Sequence, residues 1–224
     1  MNETFVDSEI PNLEIIVEEK SITFISKNKL ECLSNAAING GRIQTKYIVN
    51  QHVPLDFQHT TLENVIIPIK KKYNLSDSTI GLLTAVKMKN AVIVNDKAGD
   101  INYTLAITAG LSNIISPFTK GIKKNYKPGT INVIVLFNCE FTEYAMVNLF
   151  ITITEAKTLL LNRYNIRTPD GDFATGTSTD TITIGCTGKG TLIKWVGYST
   201  LFGQSVGKTV YKGLETALKK GRWI

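Results

Sequence analysis

Cysteine is scarce in this 224-residue sequence: Cys32, Cys139 and Cys186 are odd in number, far apart and without a CxxC spacing. That excludes a disulfide framework and a zinc ribbon and fits a reducing compartment. Only two histidines occur, and the HExxH pattern of a zinc hydrolase is missing. No stretch reaches the ~20 apolar residues that a bilayer crossing needs. Thr130 to Phe137 is short, and Leu149 to Leu161 is interrupted by Thr154, Glu155 and Lys157. The opening MNETFVDSEIPN lacks the basic start and apolar stretch of a secretory leader. A soluble, cytoplasmic protein without a membrane partner is expected.

What is present is ordinary for a globular chain: 43% apolar and 20% charged residues, without repeats or low-complexity tracts. A chain of this length buries roughly 70% of its unfolded surface, so one domain over residues 1–224 is expected. The net charge of +6 biases encounters toward anionic partners and says nothing about fold.

The apolar periodicity alternates between strand and helix. Leu13 to Val17 and Ile22 to Ile25 read as a hairpin that Leu30 to Leu33 extends. SNAAINGGRIQTKYIVNQHVP, with Asn39-Gly40-Gly41, reads as a tight turn or ligand-facing loop. Thr61 to Tyr73 has helical spacing that Pro68 should kink. Ala91 to Val94 and Ile101 to Ala109 form a second hairpin around Gly99-Asp100, and Ile131 to Phe137 should be a central strand buried on both faces. Thr142 caps a helix running to about Tyr164. Thr181 to Thr187 and Thr191 to Val196 flank Gly188-Lys189-Gly190 as a third hairpin, and a last helix runs from Leu201 to Lys220, stopped by Gly221. The expected fold is α+β, a layered domain whose hairpins form a mixed sheet packed by about three helices.

Several motifs have plain explanations. Gly185 to Thr191 (GCTGKGT) resembles a phosphate loop, but Thr183 and Gly190 stand where that motif needs Gly and Ser or Thr, and the context is strand to strand. His52, Asp56 and His59 are spaced i, i+4, i+7, yet Pro54 disfavours the helix that would align them as metal ligands, so a solvated loop and no metal are expected. Lys70-Lys71-Lys72-Tyr73 and Lys120 to Lys127 have the composition of a nucleic-acid surface without its motifs and read as solvated segments. Two places resist such an account. Glu155 and Lys157 sit in the most apolar stretch of a helix, about 200° apart, so each needs its own partner. Ala174 to Asp180 (ATGTSTD) offers donors and hydroxyls before a strand, either as a polar turn capped by Asp180 or as site machinery.

ATGTSTDTITIG (174–185), TITEAKTLLL (152–161), GTINVIVLFN (129–138), TAGLSN (108–113), SNAAINGG (34–41) and GYSTLFGQSVGKTVYKGL (197–214) occur in order, and together they resemble the adenosylcobinamide amidohydrolase (CbiZ) family from about Leu30 to Lys220. The resemblance implies hydrolysis of the amide between the corrin propionyl arm and aminopropanol, giving adenosylcobyric acid for cobamide salvage. The corrinoid is then substrate, with no cofactor and no metal implied. GYSTLFG departs from the family pattern, carrying Tyr198-Ser199 where a histidine often stands.

Amide hydrolysis needs a nucleophile with a base, a proton donor for the leaving amine and donors for the oxyanion. Glu155 or Asp180 is the candidate base, with Glu155 favoured, and Lys157 the candidate stabiliser or proton donor. Thr175, Thr177 and Thr179 are candidate nucleophile or oxyanion contributors. Gly40, Gly41 and Gly176 would admit a bulky macrocycle close to backbone. Asn39, Asn113 and Asn132 suit its peripheral amides, with Thr200 as a further contact. Readings from other classes are a non-catalytic corrinoid-binding protein and a basic nucleic-acid-binding domain. The partner expected is a small corrinoid, with nucleic acid disfavoured and a homo-oligomer allowed.

Overall fold

The structure, a computed structural model, describes residues 3–57, 61–120 and 129–224. Strands β1 (Thr4–Val6), β2 (Leu13–Val17), β3 (Ser21–Ser34) and β4 (Gly41–His52) open the chain as an antiparallel meander. A 3₁₀ turn over Leu62–Ile66 leads into α1 (Ile67–Tyr73). Pro68 lies in the first turn of α1, so it starts the helix and kinks nothing. There follow β5 (Ile80–Thr84), β6 (Val92–Ala98), β7 (Ile101–Ala109), β8 (Ile114–Ile115), β9 (Ile131–Phe137) and β10 (Glu140–Phe141). The chain ends with α2 (Glu143–Arg163), β11 (Gly176–Thr177), β12 (Thr181–Cys186), β13 (Leu192–Ile193) and α3 (Leu201–Lys220).

Among the described residues one nine-stranded mixed sheet has the order β1-β2-β3-β12-β9-β7-β6, with β4 and β5 branching from β3. The α+β layered class read from the sequence is the one observed, and β9 is central and wholly buried. Its odd positions, Ile131, Val133, Val135 and Phe137, pack with α2 and α3, while Ile134 and Leu136 join Phe24, Ile48, Ile80 and Leu82 on the other side. A strand covered on both faces has no place for alternation, hence its unbroken apolar run.

Two further expectations are corrected. Residues 41–52 form strand β4 in place of a loop, because Ile48 and Val49 are fully buried against β3 and β5. Residues 181–196 are no hairpin: β12 lies parallel to β9 and antiparallel to β3, and β13 pairs with β10. Gly188 and Gly190 do take positive φ in the connection between them.

Both long helices start on a threonine: Thr142, read from the sequence as a cap, and Thr200, which the sequence offered only as a substrate contact. Thr142 Oγ1 accepts from Ala145 N at 3.4 Å, and Thr200 Oγ1 accepts from Gly203 N at 3.0 Å. At the end of α3 the left-handed residue is Arg222, while a Cβ on Gly221 would meet Trp223 Cδ1 at 2.5 Å. By length and composition α2 is apolar enough to cross a membrane, yet half of that window is packed inside the molecule.

Candidate active site

At one end of the sheet the chain between β11 and β12 brings Asp180 against α2. Asp180 Oδ2 accepts Lys157 Nζ at 2.5 Å and Thr177 N at 3.0 Å, and Oδ1 accepts Ile131 N at 3.1 Å and the Thr177 hydroxyl. Lys157 and Asp180 retain only 10% and 12% side-chain exposure, so the pair is shielded but reachable. Gly176 is what permits it: a Cβ there would lie 2.3 Å from Asp180 Oδ2 and 2.7 Å from Lys157 Nζ.

Other segments hold this loop in place. Asn35 Nδ2 donates to Asp180 O at 2.9 Å and Asn35 Oδ1 accepts Ile182 N at 2.7 Å. Thr130 Oγ1 donates to Thr179 O at 2.7 Å, Asn113 Nδ2 donates to Ser178 Oγ, and Thr158 Oγ1 donates to Thr175 O at 3.3 Å. Four parts of the chain distant in sequence therefore converge on residues 175–180.

Chemically, the cluster sets an ammonium and a hydroxyl on one carboxylate at a site largely closed to water. Charge-assisted bonds strengthen as water is excluded, and an ammonium with unused N–H groups is suited to face a developing oxyanion.

The family model of adenosylcobinamide amidohydrolases matches residues 6–224, which include every residue of this cluster. The chain belongs to the adenosylcobinamide amidohydrolase family. It is similar to the adenosylcobinamide amidohydrolase of Methanosarcina mazei, 33% identical over 211 residues, which cover 89% of this chain and 96% of that one. An uncharacterized protein of Methanocaldococcus jannaschii is 28% identical over 233 residues, covering 92% of this chain and 88% of that one. Among solved structures a Burkholderia sp. beta-aminopeptidase, 12% identical, covers 98% of this chain and 82% of that chain with a TM-score of 0.48.

In this family member Lys157, Thr175, Gly176, Thr177, Thr179 and Asp180 come together, with Asn113 at the edge through Ser178. Glu155 does not join them. It lies exposed on the outward face of α2, where its charge, after burial, raises the Tyr198 phenol. Asn132 is fully enclosed: Nδ2 donates to Asn50 Oδ1 at 2.9 Å and Leu83 O at 3.0 Å, while Oδ1 lies 3.2 Å from Thr130 Oγ1. Asn39, at φ 53°, donates to Asp77 O at 2.7 Å and Thr79 O at 2.8 Å. A Cβ on Gly40 would strike Ala36 O at 2.3 Å, so that glycine serves the β3–β4 turn, while Gly41 has open space and φ +94°. Thr200 caps α3.

His52 ends β4 with Nδ1 3.2 Å from Val86 O, Asp56 is exposed, and His59 lies outside the described residues. Among the described residues no three His, Cys, Asp or Glu side chains converge as metal ligands. Lys70 pairs with Asp77, and Lys72 with Glu3 and Glu18. Most of the other basic segment, 121–127, lies outside the described residues. Sequence reasoning passed over Asn35, Thr130 and the Ile131 amide, although the SNAAINGG and GTINVIVLFN motifs contain them.

Proposed function

We propose that this chain hydrolyses the amide joining the corrin propionyl arm to aminopropanol in adenosylcobinamide, releasing adenosylcobyric acid and aminopropanol for cobamide salvage. The observation that carries the reading is the Lys157–Asp180–Thr177 cluster, within a chain matched by the family along residues 6–224. Asp180 accepts the Thr177 proton as Thr177 Oγ1 attacks the amide carbon, and the Lys157 ammonium stabilises the oxyanion and protonates the departing amine. Water then cleaves the resulting ester. Only the propionyl–aminopropanol arm has to reach the carboxylate, and the macrocycle stays outside against residues 113 and 175–179.

A cytoplasmic setting and a small corrinoid as substrate, without nucleic acid or membrane, complete the reading. It is supported by three free, buried thiols, which suit a reducing compartment. The test is incubation of the purified protein with adenosylcobinamide and mass spectrometry for adenosylcobyric acid. Asp180→Asn and Thr177→Val should each lower turnover about a hundredfold or more while Thr177→Ser keeps most of it. Absence of product from the wild type overturns the activity, and wild-type turnover by Thr177→Val moves the nucleophile elsewhere.

A further inference from the structure

Helices α2 and α3 pack side by side in one layer, yet their outer faces differ. The outer face of α3 is wet, with Gln204, Lys208, Lys212 and Thr216 exposed. The outer face of α2 carries Tyr144, Val147 and Ile151, and between Tyr144 and Leu159 its single outward charge is Glu155. A helix apolar on both faces is normally covered on both.

The segment 192–201 widens this surface. It is strapped along α2 by Thr152 Oγ1 donating to Val196 O at 3.2 Å and Tyr198 OH donating to Thr152 O at 2.7 Å. Trp195 packs against Tyr144 with the rings tilted by 48° and their centroids 5.3 Å apart. Tyr144, Val147, Ile151, Trp195, Tyr198 and Leu201 are between 39% and 85% exposed. Together their exposed atoms, polar ones included, present on the order of 700 Å², which puts the apolar part at the upper end of the largest patch of a typical monomer and the whole near the ~800 Å² each partner gives to a stable interface.

We infer that this face is the contact between two copies of the chain, packed with their α2 helices antiparallel about a twofold axis. An isologous contact requires one patch to complement itself. Here the stripe is apolar in the middle, carries Glu155 at one end, and has Lys194 beside Trp195 at the other. A twofold axis between Val147 and Ile151 sets Glu155 of each copy against Lys194 of the other. The contact stands independently of the residues assigned to catalysis.

Sedimentation equilibrium over a wide concentration range tests it, with helicity and melting temperature checked for each variant. The wild type should run at twice the monomer mass. Ile151→Lys and, separately, Trp195→Glu should weaken the dimer at least a hundredfold without lowering the melting point of the monomer, as expected for central anchors. Glu155→Lys and Lys194→Glu should each weaken the dimer, and the double exchange should restore it. A monomeric wild type, a dimer indifferent to Ile151→Lys and Trp195→Glu, or an exchange that fails to restore the dimer overturns the inference. So does a monomer that floats with phosphatidylglycerol vesicles through Ile151, which would assign the face to a lipid surface.

Discussion

Gly176→Ala should cripple the enzyme while leaving the fold standing. The added methyl would sit 2.3 Å from Asp180 Oδ2 and 2.7 Å from Lys157 Nζ, so about 1 Å of movement is needed to reach ordinary contact. Lys157 can swing aside because its ammonium ends a flexible chain. Asp180, the tighter contact, must give way as well, against the amides of Thr177 and Ile131 that hold its two oxygens. The substitution therefore shifts the carboxylate off its amide donors and displaces the ammonium, parting the ion pair. Overpacking of this kind costs about 1–3 kcal/mol, and for a domain this size each kcal/mol lowers the melting point by about 2–4 °C. A 1 Å misplacement of reacting groups costs about a hundredfold in rate. The assay pairs thermal melting with kcat for release of adenosylcobyric acid. Lys157→Met in the Gly176→Ala background should lower kcat little further, because both changes remove the same ammonium. A Gly176→Ala enzyme with wild-type kcat and a displaced Lys157 would refute the role given to the pair.

Other consequences are as direct. Burial pushes the thiols of Cys32, Cys139 and Cys186 up, far from thiolate at neutral pH, so Ellman's reagent should find none in the native protein and three after guanidinium unfolding. Asn132→Leu strands Asn50 Oδ1 and Leu83 O in the core and should cost about 3 kcal/mol, read as a drop of roughly 6–12 °C in melting temperature. Burial raises the Asp96 carboxyl, but hydrogen bonds from Thr209, the Lys97 amide and Tyr103 outweigh it and hold its pKa below the usual range. The stabilisation this lends is present above about pH 4 and is lost as the pH falls through the lowered value. Thr209→Val should therefore move the acid-unfolding midpoint, followed by circular dichroism, to higher pH.

Much of the architecture was legible because local chemistry decides it. The Thr142 cap and the 3.6-residue stripes set α2 and α3, and the unbroken INVIVLF run announced a strand covered on both faces, whereas Thr200 showed itself as the cap of α3 only in the structure. The loop at 174–180 and the two charges in α2 were also visible as places that a purely structural account served badly. Tertiary structure decided the rest. Strand β4 was hidden behind polar residues whose backbone pairs with β3 and β5, since ladder bonds do not depend on side-chain type. The connection after β12 looks like a hairpin turn, but the partner of β12 is β9, and a pairing with a segment some fifty residues away leaves no local trace. The choice between Glu155 and Lys157 was of the same kind. Helical pitch says that they face apart, and only the packing of α2 on the sheet turns Lys157 toward Asp180, 23 residues away, and leaves Glu155 to solvent. Periodicity determines which residues share a face; long-range contacts determine what that face meets.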